Sequence, residues 1–451
     1  MKIAYVVHQF FPRHITGTET YTFELAASMK ERGYEVSVLC YEHSTSKGVP
    51  RKGVLHDEYN GLPVTRFCYD SRKWKEPALY EYYNPEFGEM SLDYFGKEKP
   101  DIVHFTHNAL LSTSLIDSAG KLGLPIMLTL TDFWYICPQM QLIRGDSETC
   151  EGPEGCLRCL DCYYLASGSD ITAPLRRLLP ERLRKKAEGI REAIRKKIIL
   201  TLSGKDRFIK TVLDRPNFLK EKMSHFDVVV APTVFLRDTF VKAGYNEDRF
   251  RVINFGINLG LLDGVEKREA PRLRLGFVGT LREHKGPHLL LQALRKLERD
   301  DIEVAIYGSE KQFPEYAARL RALAGDDRRV RFCGTFPRED IGKVLAEMDV
   351  LVMPSLWHEN SPLMLLYALA SRTPVIASDS GGLSEFIEDG VSGLLFGKGD
   401  VSALAARIER LAADRDFTQR LSEAPVSVKS IDAHSDEIEG IYRELIAAPE
   451  A

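Results

Sequence analysis

No G-x-G-x-x-G follows either first strand of this 451-residue chain, which argues against a nicotinamide-dependent dehydrogenase built on that phosphate-binding turn. G-x-x-x-x-G-K-[ST] is also absent, so the P-loop enzymes are set aside, and no G-x-S-x-G supports a serine hydrolase. No run approaches about 18 uninterrupted apolar residues, the length needed to cross a bilayer as a helix. The opening MKIAYVVHQFFP is a short apolar strand interrupted by His8. It is too short for the apolar region of a signal peptide and has no small-residue cleavage site, so cytoplasmic location is the expectation. The formal net charge of −4 exerts no global pull on nucleic acid, and none is expected as a partner. The D-x-D at Asp414–Asp416 lies in a helix-like surface stretch and reads as a solvated face rather than a metal site.

A chain of this length predicts two or three domains, and 44% hydrophobic with 28% charged residues is the composition of a folded, soluble protein. Strand-like runs KIAYVV, EVSVLC, DIVHF and IMLTL alternate with helix-like stretches, and a second series follows in RLGFVG, EVAIYG, VRFCG, VLVMP, PVIAS and GLLF. This is the βαβ alternation of two doubly wound α/β sheets. Charge and proline replace the pattern near residues 260–272, which suggests domains at 1–262 and 263–425, with a terminal amphipathic helix at 426–451 packing back on the protein. Two tandem domains of this kind suggest a ligand held in a cleft between them.

The stretch WHENSPLMLLYALA, Trp357–Ala370, is the most suggestive local signal. A buried strand, VLVMP, runs into a carboxylate and then Asn-Ser-Pro. Ser361 suits an N-cap and Pro362 the first helical position. The amides of Leu363 and Met364 would then be unpaired at a helix start, forming an anion site at the carboxyl end of a strand. Taken alone, the same residues would equally begin an ordinary capped helix.

Four motifs in order make a more specific pattern: Thr16-Gly17-Thr18-Glu19 after the first strand, FVGTLREHKG, the glutamate opening this stretch, and SDSGGLSE. Together they resemble the retaining glycosyltransferases of family 4, over nearly the whole length. The resemblance implies a GT-B fold: two Rossmann-like doubly wound domains facing a cleft. It implies that Gly17 lets a nucleotide-sugar donor approach the backbone, and that Lys285 neutralises the departing diphosphate. It also implies that Glu359 accepts hydrogen bonds from sugar hydroxyls, and that the amides after Asn360, Ser361 and Pro362, those of Leu363 and Met364, hold the diphosphate. Gly381, Gly382 and Glu385 continue the pattern. The chain departs from it at Thr280, where the family has arginine, with Arg282 two residues on as a substitute. It departs again at Tyr367, where a ribose-binding glutamate is usual, and at Thr131, where a histidine often stands beside the sugar. Asp132 and His107, with His104 nearby, are the residues expected to serve that first-domain position.

Five of the eight cysteines, Cys137, Cys150, Cys156, Cys159 and Cys162, crowd an insertion at 137–222. Overlapping C-x2-C pairs in a cytosolic chain suggest a structural zinc ion, with a metal-free reduced loop as the alternative and only a partial match to iron–sulfur spacing. Residues 171–222 hold 16 Lys and Arg against 6 Asp and Glu, which suggests peripheral contact with anionic lipid at the inner face of the membrane or with a lipid-diphosphate acceptor. The resulting expectation is a retaining, hexosyl-type glycosyltransferase needing no catalytic cofactor. It would act on a glycan or lipid-linked acceptor in surface polysaccharide or glycolipid assembly. A non-catalytic nucleotide-sugar or glycan-binding protein of the same fold is the alternative, and a metal-stapled membrane scaffold a third reading.

Overall fold

The computed structural model describes residues 1–144, 149–152, 159–160, 162, 207–267 and 270–447. Cys156 and residues 171–206 of the basic segment lie outside the described residues. The chain divides into two compact units. The first comprises Met1–Val230, Thr239–Arg251 and Tyr442–Ala451, and the second Ala231–Asp238 and Val252–Ile441.

The eight strands of the first sheet are β1 (Lys2–Val7), β2 (Glu35–His43), β3 (Gly53–Tyr59), β4 (Leu62–Tyr69), β5 (Ile102–Phe105), β6 (Ile126–Thr129), β7 (Val228–Ala231) and β8 (Phe250–Val252). Their spatial order is β3-β4-β2-β1-β5-β6-β7-β8. Parallel pairing joins β4, β2, β1, β5, β6 and β7. The continuous apolar run of β1 is explained by burial on both faces: Ile3 through Val7 are each 0% exposed. The β3–β4 hairpin is antiparallel and, like β7 and β8, lies outside the expected strands. Its first strand alternates half-buried and exposed residues at the sheet edge, and its turn is Asn60-Gly61, both at positive φ. Asn-Gly between alternating segments is the signal that identifies it.

The second sheet is wholly parallel, in the order β11-β10-β9-β12-β13-β14. Its strands are β9 (Leu273–Val278), β10 (Ile302–Tyr307), β11 (Val330–Gly334), β12 (Val350–Met353), β13 (Val375–Ser378) and β14 (Gly393–Phe396). All six coincide with the expected runs. The side chains of Leu275, Phe277, Val304, Ile306, Val350, Val352 and Ile376 form the core with apolar residues of the flanking helices.

Both sheets reverse their strand order once, between β1 and β5 in the first and between β9 and β12 in the second. The carboxyl ends of the strands beside such a reversal leave a crevice, because the connections depart to opposite faces. Every functional residue discussed below follows one of the strands at or next to these two points, or packs against those that do.

The terminal helix, Ile431–Ala447, carries Tyr442 into the first unit's interior. The Tyr442 hydroxyl pairs with Tyr5 Oη at 3.0 Å and with His104 Nδ1 at 2.6 Å, while His104 Nε2 meets Thr129 Oγ1 at 2.7 Å. His104 is therefore a satisfied core histidine and is not available to a ligand. Replacing Tyr442→Phe leaves a buried ring nitrogen without its partner. It is expected to destabilise the first unit by about 1–3 kcal/mol, read as a lower denaturation midpoint with unchanged far-ultraviolet dichroism.

Candidate active site

The second unit's site grows from three loops at the carboxyl ends of β9, β12 and β13. Lys285 ends a short 3-10 turn, Glu283–Lys285, closed by Gly286 in the left-handed region at φ +73°. A Cβ on Gly286 would overlap the Pro354 carbonyl, so only glycine lets this loop touch the one after β12. The amide of Leu356 also donates to the His284 carbonyl at 2.7 Å. Gly381, at φ +63°, lies against the backbone of Glu359, and the Gly382 amide donates to the Glu359 carbonyl at 2.6 Å. The glycines carried over from sequence thus bring the three loops to backbone contact.

At their junction Lys285 Nζ donates to Glu359 Oε1 at 2.7 Å, and Ser355 Oγ donates to the same oxygen at 2.7 Å. The Glu359 side chain is only 4% exposed. Burial pushes its carboxyl upward, but the Lys285 ammonium and the Ser355 hydroxyl outweigh that and hold it below its ordinary range, as a carboxylate. Lys285 also lies over the Trp357 ring, 4.7 Å from its centre. An ammonium has three donors, and the carboxylate takes one, so Lys285 retains capacity for a second anion.

The helix after Glu359 begins later than its sequence suggested. It spans Leu363–Ala370, with Pro362, in extended conformation, at the N-cap; Ser361 does not cap it. Proline cannot offer a side-chain acceptor, so the first amides, of Leu363 and Met364, remain open. Ser361 Oγ and Asn360 Nδ2 are both buried without a hydrogen-bond partner. Tyr367 is 2% exposed, on the buried side of the helix with Leu365, Leu366, Ala368 and Leu369. Thr280 lies half-buried after β9. Arg282 stacks its guanidinium on Phe313, 4.6 Å from the ring centre, with no carboxylate partner among the described residues.

The first unit gathers a different set. His107 Nδ1 accepts from the Ala109 amide at 3.0 Å, so its proton sits on Nε2, which donates to Asp132 Oδ2 at 2.7 Å. Asp132 Oδ1 accepts from the Trp134 amide at 2.8 Å, and Thr131 turns its hydroxyl to the Thr106 carbonyl at 3.0 Å. His8, directly after β1, packs against His107 with ring centres 4.3 Å apart and planes tilted by 46°, and places Nε2 3.2 Å from Glu19 Oε1. Glu19, 1% exposed, in turn accepts from the Thr16 amide at 3.0 Å at the start of the Gly17–Glu31 helix. His8 and Glu19 had no assigned chemistry from sequence; the signal was a histidine directly following an apolar strand and a capping-box glutamate three residues after Thr16. Gly17 is exposed, and a Cβ there would meet nothing within 4 Å.

Among the described residues no group of three or more His, Cys, Asp or Glu is arranged to hold a metal ion. Cys137 is buried, which pushes its thiol upward and keeps it protonated, while Cys150, Cys159 and Cys162 are partly buried; Cys156 lies outside the described residues. Asp414 caps the Arg415–Glu423 helix through the Phe417 amide.

Burial, reinforced by the neighbouring His107, lowers His8 to about 4, and burial beside Lys285 and Arg282 lowers His284 to about 3, against an ordinary 6.5. Between these values the unfolded chain binds protons that the native state refuses, so stability rises with pH across that window. The melting temperature is expected to fall progressively as pH drops from 6.5 to 4, and His284→Gln should flatten that slope, as followed by calorimetry across buffers of constant ionic strength.

Comparison with known proteins bears on the domains and the fold. Residues 15–145 match the family model described as Glycosyltransferase Family 4, and residues 272–414 that described as Glycosyl transferases group 1. A D-inositol 3-phosphate glycosyltransferase of Corynebacterium urealyticum is 35% identical over 189 residues, covering 39% of this chain and 44% of that protein. An alpha-D-kanosaminyltransferase of Streptomyces kanamyceticus is 28% identical over 175 residues, covering 38% and 45%. The chain spans about half the length of the curated relatives it matches. Among solved structures, a sucrose-phosphate synthase of Thermosynechococcus elongatus superposes with a TM-score of 0.67 at 18% identity over 99% of this chain and 100% of that one. HepE of Anabaena, in complex with UDP and glucose, does so at 0.61 and 16% over 99% and 98%. The fold is GT-B.

Proposed function

We propose that this chain, built from the two domains of the family 4 glycosyltransferases, transfers a hexosyl group from a nucleotide-diphosphate sugar to an acceptor hydroxyl with retention of configuration. The observation that carries the reading is the convergence, after β9 and β12, of the Lys285 ammonium, the buried Glu359 carboxylate and the open amino end of the Leu363–Ala370 helix. A diphosphate needs a cation and several oriented donors, which Lys285 and the first helical amides supply. Sugar hydroxyls need a charged acceptor, and Glu359 is kept ionised in a nearly dry setting.

In this reading the chemistry is positioning and charge neutralisation. Departure of the diphosphate builds negative charge where the Lys285 ammonium already stands, so stabilisation costs little reorganisation at that moment. Loss of the donor's pull on Lys285 lets the ammonium return to Glu359, which keeps the buried carboxylate compensated between turnovers. Gly17 supports a ligand-facing role for the first unit's β1 loop, because the protein's own packing does not require glycine there. The His107–Asp132 pair, with both imidazole nitrogens engaged, would orient neighbouring groups rather than exchange protons. A glycan or lipid-linked acceptor, a role in surface polysaccharide or glycolipid assembly, and salt-sensitive attraction of the basic segment to anionic membranes belong to the same proposal.

The test is turnover of a panel of UDP-, ADP- and GDP-sugars, with proton NMR of the released or transferred sugar giving its anomeric configuration. Lys285→Ala is expected to remove about 2–4 kcal/mol of transition-state stabilisation and also to lower the melting temperature, because it leaves the buried Glu359 carboxylate without its cation. Glu359→Gln should lower the rate and blur discrimination between sugars. A panel that yields no turnover and no nucleotide binding would count against the enzyme.

A further inference from the structure

We infer that residues 231–238 complete the ligand site of the second unit, with Thr233 acting as a positioning residue that turns the Asn360 carboxamide so that its NH2 donates to an oxygen of the bound nucleotide sugar. The inference rests on the function proposed above. Although these eight residues sit between two segments of the first compact unit, they belong to the second.

Thr233 is fully buried. Its Oγ1 accepts from the Leu236 amide at 3.2 Å, which leaves the hydroxyl proton to be given to Asn360 Oδ1 at 3.1 Å. That bond settles which way the carboxamide faces: oxygen toward Thr233, NH2 away from it. The NH2 is then a buried donor with no acceptor in the protein, on a side chain that is 7% exposed. An unmet buried donor is costly, and such groups are rare unless something outside the chain satisfies them. The adjacent Ser361 hydroxyl is unmet in the same way, directly before the open helix start.

Two further contacts hold Thr233 in place. A Cβ on Gly382 would overlap the Asn360 carbonyl and come within 3.1 Å of Thr233 Cγ2, so these three residues pack at a distance only glycine allows. The Glu385 carboxylate accepts from the Val234 amide at 2.9 Å and the Phe235 amide at 2.5 Å. It therefore fills the amino end of the Val234–Lys242 helix, and that end is closed to a ligand anion. The Phe235 ring lies 5.3 Å from that of His358, one residue before Glu359.

The experiment is titration calorimetry of the full-length protein with UDP, ADP, GDP and UDP-glucose, on wild type, Thr233→Val, Thr233→Ser, Asn360→Ala and the Thr233→Val/Asn360→Ala pair. Asn360→Ala and Thr233→Val should each weaken binding by about tenfold, the size of one hydrogen bond. Thr233→Ser should stay within about twofold of wild type, and Thr233→Val should add less than about twofold in the Asn360→Ala background. Weakening with the nucleoside diphosphate itself assigns the NH2 to a phosphate oxygen, and weakening with UDP-glucose alone assigns it to the sugar; both support the inference. Should Thr233→Val and Asn360→Ala bind as tightly as wild type while Lys285→Ala does not, the inference fails and the proposed function stands. Wild type that binds none of the four overturns both.

Discussion

The ion pair between Lys285 and Glu359 is the constraint to which the second unit conforms. A carboxylate almost wholly withdrawn from water is tolerable only with a cation and further hydrogen bonds at its oxygens, since an uncompensated buried charge costs several kcal/mol. Lys285 and Ser355 meet that need at one oxygen. Bringing them there requires the loop after β9 to touch the loop after β12, which Gly286 permits, and the loop after β13 to lie on Glu359, which Gly381 and Gly382 permit. The charge chemistry and the glycine pattern are therefore one requirement.

The first unit handles its polar residues differently. His107, Asp132, Thr131 and Glu19 are each tied to a backbone group or to one another. Such a network is rigid because every member loses a partner if it moves. Its imidazoles are held neutral by burial in the case of His8. That suits a surface that positions a neutral hydroxyl, whereas the second unit's ammonium and open amides suit an anion. The two chemistries sit at equivalent topological positions, beside the strand-order reversals of their sheets.

Much of this is legible in the sequence. Strands buried on both faces announce themselves as apolar runs, so the parallel strands of the second sheet were found without exception. In the first sheet β3, β4, β7 and β8 lie outside the expected strands: β3 is an edge strand with one wet face, β8 spans only three residues at the other edge, and the buried β4 and β7 are too short or too interrupted by polar residues to stand out. Between two histidines three residues apart, only the fold could decide: His104 points among Tyr5, Thr129 and Tyr442, while His107 reaches Asp132. Ser361 looked like an N-cap by residue type, yet its hydroxyl is buried and unpaired, and the helix starts after Pro362. Capping preference is a local average, and the backbone contacts of Glu359 and Asn360 with the glycine loop override it here.

Sequence alone determined the class of architecture, the order of strands along the chain and the residue types of the site, since these follow from periodicity, glycine placement and charge, all of which are local. Tertiary structure decided which of those residues meet. It paired Lys285 with Glu359 across 74 positions, turned Thr233 toward Asn360 across 127, and set Tyr442 against His104 across 338. No local pattern encodes such contacts, because they depend on which strands become neighbours and on how closely their loops can approach. Those are properties of the packed sheets, and they exist only once the chain has folded.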